Sequence, residues 1–354
     1  MPGIESSVER NERPGMRAGA SRLVYDSRSN ETSPTLTVAI PTYRRFDLLS
    51  EALRSVFEQD FKVPVEVIVV DNDASDDAVA LKEIAKFANE SFAYYKNAEN
   101  VGMFGNWNRC LELARGRYIT ILHDDDMLLP EFARQVNRYL RQVDAGPDII
   151  GFRVAILDER GGVVDATLRN SEVVQPGLLG AMRSSVRRES ARATLADFFF
   201  GNPFCGTLGV VMRRDLALSL GGFDPLWQPI ADYEFWCRWL AEVGDIRLVR
   251  ACVGFYRMRH NESLNPATRS AFVDRSWALR RRLIASGHVA RGFSLLLGPL
   301  SRVQRLMISH DWRGSSERPV PTLEKATVVA WRLFARVVAW LVPARPRCRS
   351  GVSS

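Results

Sequence analysis

Three consecutive aspartates, Asp124, Asp125 and Asp126, follow the apolar residues 118–122, and we call them the acid triplet. Adjacent carboxylates repel one another, and an enclosed carboxylate needs water or a cation. Mg²⁺ and Mn²⁺ prefer oxygen ligands, and proteins often hold them with one or two carboxylates and the phosphates of a substrate. The acid triplet therefore indicates a site for a metal ion and a diphosphate. The alternative explanation of the acid triplet is a solvated acidic turn before a helix that begins at Pro130.

Strand and helix patterns alternate in the residues before the acid triplet. Apolar runs predict strands at 35–40, 65–70, 92–96 and 117–122. Helical spacing of apolar residues lies between them, at 47–59, 76–89 and 106–114. Strands that are apolar throughout are typical of a parallel sheet covered on both faces, so the predicted fold class is α/β with a mostly parallel sheet.

Polar residues follow three of the predicted strands, at 42–45, 71–73 and 124–126, and we call these segments the polar edge. In an open α/β sheet, ligands bind beyond the carboxyl ends of the strands. Carboxylates that come from independent strands and meet at one edge are the main indication of function.

The pattern is looser after residue 145. Strands are predicted at 149–157, 163–164, 206–212, 246–249 and 253–256, with a helix at 230–240, a mobile loop at 170–192 and helical structure from residue 276 onward. Residues 1–33 are polar with little periodicity, which predicts a disordered tail without a secretory signal. Five scattered cysteines without a CxxC pair indicate reduced thiols in a cytoplasmic protein.

The basic residues are concentrated in the C-terminal quarter. From Arg269 onward, sixteen Arg and Lys stand against four acidic residues, a net charge of +12, whereas the whole chain of 354 residues carries +7. Residues 326–342 are apolar except for Thr327, Arg332 and Arg336 and are too few to span a bilayer, which takes roughly 20. They predict a basic amphipathic helix on an anionic membrane surface or a helix packed on the protein. Nucleic-acid binding would also explain the basic residues, but an apolar, Trp-rich helix is better suited to lipid. Nucleic acid is therefore not an expected partner.

Seven segments then occur in an order that resembles one known family. They are PTYRR at 41–45, VIVVDNDASDD at 67–77, NVGMFGNWN at 100–108, ARGRYITILHDDDMLLP at 114–130, GGFDP at 221–225, ADYEFWCRW at 231–239 and YRMRHNESLN at 256–265. Over residues 34–265 the chain is similar to family 2 glycosyltransferases with the Rossmann-like GT-A fold. The resemblance implies an inverting sugar transferase that uses a nucleotide-diphosphate sugar and Mg²⁺ or Mn²⁺.

The resemblance also implies roles for individual residues. The nucleotide would be held by Pro41, Thr42, Tyr43, Arg45, Asp71, Asn106 and Asp124. Asp125 is the first candidate for a direct metal ligand and Asp126 is the next, and His260 would approach the metal. Counted back from Pro130, the first acid of the family's DxD motif falls on His123, so the chain departs from the motif there.

Asp232 matches the family's general base, which takes the proton of the acceptor hydroxyl. Ala231 replaces the usual Glu before it, and a helix N-cap is the alternative role for Asp232. Trp227, on the preceding loop, is a candidate contact for the acceptor. Trp236 and Trp239 are three residues apart on a predicted helix, which favours core packing for at least one of them.

Four regions are expected: a tail at 1–33, a nucleotide-sugar-binding half at 34–130, an acceptor-binding half at 131–268 and a basic helical extension at 269–354. The expected acceptor is a glycan or lipid-linked hydroxyl in cell-surface polysaccharide synthesis, at the cytoplasmic face of a membrane. A catalytically degenerate homologue that binds nucleotide-sugar or a partner is the alternative, because His123 and Ala231 depart from the family. A nucleotidyltransferase is disfavoured, because PTYRR stands where a Gly-rich segment is usual.

Overall fold

The computed structural model describes residues 21–28, 33–75, 78–141, 146–157, 163–165, 190–257 and 265–311. Its strands are β1 (Ser21–Asp26), β2 (Leu36–Thr42), β3 (Val65–Asp71), β4 (Ala93–Asn97), β5 (Tyr118–Ile121), β6 (Met127–Leu128), β7 (Ile149–Leu157), β8 (Val163–Asp165), β9 (Ser190–Arg192), β10 (Val210–Arg213) and β11 (Ile246–Arg257). They form one mixed sheet in the order β1-β4-β3-β2-β5-β10-β7-β11-β6, with β8 on β7 and β9 on β11.

The α-helices of the described residues are α1 (Phe46–Phe57), α2 (Ala78–Ile84), α3 (Gly102–Leu113), α4 (Glu131–Leu140), α5 (Leu195–Phe200), α6 (Arg214–Ser219), α7 (Ala231–Glu242), α8 (Pro266–Ala285) and α9 (Leu297–Asp311). Short 3₁₀ helices lie at Ala85–Phe87, Pro225–Trp227 and Arg291–Leu296.

The centre of the sheet is parallel: β4, β3, β2 and β5 are neighbours that run in the same direction. Every residue of β2 is buried, because helices cover both faces. The α1 face of β2 includes Val38 and Ile40, whereas Ala39 belongs to the core cluster that contains α3. The predicted α/β class with a mostly parallel central sheet is confirmed.

The second half of the sheet continues from the first without a break. β10 pairs antiparallel with both β5 and β7, and β7 pairs parallel with β11. β6, which directly follows the acid triplet, pairs with β11. The acid triplet therefore connects β5, in the centre of the sheet, with β6, which pairs with a strand of the second half.

The first helices of the C-terminal quarter pack against this sheet domain. Arg280 of α8 is almost completely buried, and its guanidinium donates to the carbonyl of Phe199 (2.7 Å) and to Gln304 of α9 (2.9 Å). Hydrogen bonds to a buried guanidinium offset part of its desolvation cost. α8 is thus docked beside α5.

Three segments form strands where the sequence predicted none, and one of them is the two-residue β6. Ser21–Asp26, within the predicted tail, pairs antiparallel with β4, and Tyr25 packs on Phe92 with ring centroids 5.0 Å apart. The tail prediction is wrong for these residues, because their partners lie about 70 residues further on. Ser190–Arg192, within the predicted mobile loop, pairs with β11. Residues 1–20 and most of the loop lie outside the described residues.

Candidate active site

The three segments of the polar edge contact one another through their side chains. The Thr42 hydroxyl, at the end of β2, donates to Oδ2 of Asp124 (2.8 Å). Arg44 Nε donates to Oδ2 of Asp73, beyond the end of β3 (2.8 Å). The prediction that these segments meet at one edge is therefore confirmed, and the ends of β2, β3 and β5 together form the candidate site.

Asp124 lies buried against the loop that follows β2. Besides the Thr42 hydroxyl, the backbone N–H of Tyr43 donates to its Oδ2 (3.3 Å). Burial, followed by repulsion from Asp125, raises the pKa of Asp124 to about 6. Its predicted contact with the nucleotide stays a prediction, and in this structure the carboxylate positions the Tyr43 backbone.

Asp125, the predicted metal ligand, forms an ion pair with Arg45. Arg45 Nη1 lies 2.7 Å from Oδ2 of Asp125 and 3.6 Å from Oδ1 of Asp124. The Asp125 side chain is only 9% exposed, whereas that of Arg45 is 34% exposed. One guanidinium thus offsets the repulsion between the first two carboxylates of the acid triplet.

Asp126 faces away from Arg45 and lies against His123. The backbone N–H of Arg257 donates to its Oδ1 (3.1 Å). Its Oδ2 is buried without a hydrogen-bond partner among the described residues and lies 3.3 Å from Nδ1 of His123. Burial raises the pKa of Asp126.

The orientation of His123 is set by its other ring nitrogen. The Thr207 hydroxyl donates to the carbonyl of Ile121 (3.0 Å), so its oxygen accepts from Nε2 of His123 (3.0 Å). Nδ1 is therefore directed at Asp126. Burial lowers the pKa of His123, but the interaction with the nearby Asp126 carboxylate and the charges of Asp125 and Asp124 outweigh burial, and the pKa is raised overall.

These side chains fit a divalent metal ion. His123, Asp125 and Asp126 each offer one ligand atom, and the three atoms lie within 4.8 Å of one another. The buried Oδ2 of Asp126 needs a proton or a cation to offset its desolvation. Carboxylate oxygens and imidazole nitrogens are both common ligands of divalent metal ions. His260, the other predicted metal contact, lies outside the described residues.

Asp71 and Asn106 are buried in a hydrogen-bond network behind the polar edge. Asp71 accepts from the Tyr94 hydroxyl (2.6 Å) and from the backbone N–H of Asp73 (2.9 Å), and burial raises its pKa. Asn106 donates to the carbonyl of Val70 (3.0 Å) and accepts from Asn97 (2.9 Å). Both side chains hold strand ends in place here, and their predicted contacts with the nucleotide stay predictions.

Tyr43 is the most accessible of the predicted nucleotide contacts. Its side chain is exposed, and the Arg44 guanidinium lies 5.1 Å from the ring centroid. Pro41 and Thr42 are the buried last residues of β2 and hold the start of this loop. An aromatic ring on a loop whose base is held by Asp124 can stack on a flat ligand.

Asp232 is a buried carboxylate in the first turn of α7. The N-cap of this helix is Ile230, so the alternative role of Asp232 as the cap is wrong. Asn202 donates its amide N–H to Oδ2 of Asp232 (2.8 Å). Burial raises the pKa of Asp232 to about 6, although the backbone of Tyr233, Asn202 and the charge of His123 each lower it.

The tryptophans near Asp232 differ in exposure. Trp227 is half-buried, and the Arg282 guanidinium of α8 lies 5.5 Å from its ring centroid. Its role as an acceptor contact stays a prediction. Trp236 and Trp239 are fully buried in the core, as their spacing predicted.

Three residues of the site escaped the sequence analysis. They are Asn202, which orients Asp232, Thr207, which orients His123, and His123 itself, which was interpreted only as a departure from the DxD motif. The motif supplied a signal for His123, since a nitrogen ligand can replace a carboxylate. Asn202 and Thr207 lie in no motif, and only the fold brings them to their partners.

Comparison with known proteins identifies relatives of one enzyme family. Residues 37–193 match the sequence profile described as Glycosyl transferase family 2. An uncharacterized protein of Mycobacterium tuberculosis is 29% identical over 77% of this chain and 79% of its own length. The GalNAc(5)-diNAcBac-PP-undecaprenol beta-1,3-glucosyltransferase of Campylobacter jejuni is 38% identical over 27% of this chain and 31% of its own length.

Among solved structures, a mannosyltransferase of Pyrobaculum calidifontis, in complex with GDP-Man and Mn²⁺, shares the fold. Its TM-score is 0.52 at 19% identity, and 88% of each chain is covered. With the matched profile over residues 37–193, the acid triplet and the GT-A fold in agreement, the chain contains a glycosyltransferase domain of family 2. It is a glycosyltransferase. Among the residues that the structure describes, none of the helices combines the length and apolar character needed to cross a bilayer.

Proposed function

We propose that the chain transfers a sugar, with inversion, from a nucleotide-diphosphate sugar to a hydroxyl of a glycan or lipid-linked acceptor, and that it needs Mg²⁺ or Mn²⁺. The observation that carries the proposal is that one short segment contacts both parts of the site: Asn202 donates to Asp232 (2.8 Å), and the hydroxyl of Thr207 lies 3.0 Å from Nε2 of His123. A buried carboxylate of raised pKa therefore lies near the acid triplet. Inverting transfer needs both a base and a site for the diphosphate.

Asp232 is the base in this proposal. Its carboxylate takes the proton of the acceptor hydroxyl while the hydroxyl oxygen bonds to C1 of the sugar. The bond from C1 to the diphosphate oxygen breaks, and the diphosphate leaves with the electron pair. A carboxyl with a pKa of about 6 is ionised at neutral pH and is more basic than an ordinary aspartate. Asn202 holds it in one orientation.

The acid triplet and its neighbours hold the leaving group. A divalent ion held there would supply Lewis-acid stabilisation of the departing diphosphate. Asp125, Asp126 and His123 are the described residues that would hold this ion. Thr42, Tyr43 and Arg45 lie beside them, where a nucleotide attached to the diphosphate would extend.

The acceptor is proposed to be lipid-linked, in the synthesis of a cell-surface polysaccharide. The name of the Campylobacter relative includes an undecaprenol-linked acceptor, and the matched segment contains less than a third of that protein. The basic C-terminal quarter supports the same conclusion, since a lipid-linked acceptor lies at a membrane with anionic lipids.

A screen of donors tests the proposal. Purified protein would be titrated with UDP-, GDP- and dTDP-sugars in Mn²⁺, in Mg²⁺ and in EDTA, with binding and slow donor hydrolysis as readouts. We expect one nucleotide class to bind with a dependence on metal. If no donor binds in any condition, the proposed transferase reaction is wrong for this chain, and partner binding by a degenerate homologue becomes the better explanation.

Activity is expected to fall as the pH drops below about 6, because protonated Asp232 cannot accept the acceptor's proton. The Asn202 hydrogen bond lowers the pKa of Asp232, so Asn202→Leu should raise that pKa. The acid limb of the pH profile, where kcat falls with decreasing pH, should then move to a pH higher by about half a unit or more. The measurement is kcat from about pH 5 to about pH 8. Asn89→Leu, at an exposed asparagine, is the control. An acid limb at the same pH in all three proteins would exclude Asp232 as the titrating group.

We also propose that the chain binds peripherally to the cytoplasmic face of a membrane. The predicted helix at 326–342 lies outside the described residues, but α8 supplies support. Trp277 is exposed, and the Arg281 guanidinium lies 4.7 Å from its ring centroid. A tryptophan beside an arginine suits the headgroup region of an anionic bilayer.

The double variant Trp277→Ala/Arg281→Ala is expected to bind anionic vesicles about 10-fold more weakly, through loss of an interfacial ring and one charge. The measurement is co-sedimentation with phosphatidylglycerol vesicles, compared with phosphatidylcholine vesicles. Leu81→Ala/Arg192→Ala, which removes an exposed leucine and an exposed arginine elsewhere, is the matched control. Equal binding by both variants and the unmodified protein would rule out α8 as a membrane contact.

A further inference from the structure

Arg45 donates to one oxygen of Asp125, a proposed ligand of the metal ion. We propose that Arg45 is a resident counter-ion of Asp125, which a metal ion must displace, so that metal and donor diphosphate bind cooperatively. This inference rests on the proposed function, because it concerns the same metal and donor site. It adds a role for Arg45 that differs from its predicted contact with the nucleobase.

The contact is short and partly enclosed. Arg45 Nη1 donates to Oδ2 of Asp125 at 2.7 Å, the distance of a charge-assisted hydrogen bond. The Asp125 side chain is 9% exposed, so water competes weakly for this oxygen. A guanidinium does not lose its proton in a protein, so the positive charge beside Asp125 is permanent.

A metal ion and this guanidinium exclude one another. A divalent ion binds a carboxylate oxygen at about 2.0–2.2 Å and would lie within a few ångströms of Nη1, where two positive charges repel. Metal binding to the free protein must therefore break the bond between Arg45 and Asp125, which lowers the affinity for the metal. The 34% exposed Arg45 side chain has room to turn outward.

The donor offers Arg45 a replacement partner. Phosphate oxygens accept two parallel hydrogen bonds from a guanidinium, so a diphosphate can hold Arg45 once the metal has taken Asp125. Each ligand then strengthens the binding of the other by the same factor. The acid triplet would thus bind its metal tightly only when the donor is present.

The neighbouring arginine provides a matched control. Arg44 donates to both oxygens of Asp73, at 2.8 and 3.3 Å, and its side chain is 61% exposed. Arg44→Gln and Arg45→Gln remove the same charge from adjacent positions. Only the second change frees an oxygen of the acid triplet.

The experiment measures two affinities for each protein. Mn²⁺ binding without nucleotide would be followed by the electron paramagnetic resonance signal of free Mn²⁺, and binding of UDP and GDP in saturating Mn²⁺ by calorimetry. Arg45→Gln should bind Mn²⁺ about 10-fold more tightly and the nucleotide about 10-fold more weakly than the unmodified protein. Arg44→Gln should change the Mn²⁺ affinity less than about 2-fold. Arg45→Lys keeps the charge, so its affinities for Mn²⁺ and for nucleotide should lie between those of Arg45→Gln and those of the unmodified protein.

Opposite changes in the two affinities distinguish this role from a structural one, which would weaken both. Unchanged or weaker Mn²⁺ binding by Arg45→Gln would overturn the inference while metal dependence stands. An equal gain in Arg44→Gln would also overturn it, since the effect would then be general charge. Absence of Mn²⁺ binding in every protein, with and without nucleotide, would overturn both this inference and the proposed metal dependence. If Arg45→Gln does not fold, Arg45→Lys decides by the same two measurements.

Discussion

Asp232→Asn is expected to lower kcat about 10³-fold while nucleotide binding changes less than about 2-fold, because a positioned general base contributes about 10²–10⁴-fold to proton transfer. Asparagine has nearly the same shape, and its carbonyl oxygen can still accept the hydrogen bond from Asn202. The substitution therefore removes the proton acceptor and keeps the packing of α7. The measurements are initial transfer rates with the donor that binds and calorimetric titration of its nucleotide.

Glu242→Gln is the matched control, because it neutralises one carboxylate at the exposed end of the same helix. It should transfer sugar at the unmodified rate. If Asp232→Asn retains more than about a tenth of the rate, another group takes the proton. A large loss of nucleotide binding in this variant would instead mean that Asp232 holds the donor.

Asp125→Asn is expected to weaken Mn²⁺ binding in the presence of nucleotide at least about 100-fold and to abolish metal-stimulated transfer, since loss of a direct ligand costs more than the 10–100-fold typical of residues behind the ligands. An amide carbonyl is a poorer ligand than a carboxylate and carries no charge. The substitution also removes the ion-pair partner of Arg45. The measurements are Mn²⁺ titrations and transfer rates in Mn²⁺ and EDTA.

Asp60→Asn is the control, because it removes a carboxylate that is 79% exposed and lies outside the polar edge. This variant should bind Mn²⁺ like the unmodified protein. Metal binding that survives in Asp125→Asn would move the ligand role to Asp126 and His123. Transfer that is equally fast in Mn²⁺ and EDTA in the unmodified protein would remove the metal from the proposal.

The central strands were predictable because their signal is local. β2 and β3 are apolar at almost every position, which only a strand covered on both faces explains, and both were predicted to within two residues at each end. β1 was missed because its six residues include only Leu23, Val24 and Tyr25 as apolar positions, and its pairing with β4 is a long-range property.

The sequence by itself determined the α/β class, the polar edge, the acid triplet and the carboxylate of Asp232. Each of these depends on residue type, on spacing along one strand or helix, or on the order of short motifs. Only the tertiary structure decided which groups meet: Arg45 with Asp125, His123 with Asp126, and Asn202 with Asp232. Arg45 and Asp125 are 80 residues apart, and Asn202 and Asp232 are 30 apart. Burial raises the pKa of Asp232 and, within the part of the chain that the structure describes, leaves Oδ2 of Asp126 without a hydrogen-bond partner. Such contacts depend on strand order and on burial, and neither property is written in the local pattern of the chain.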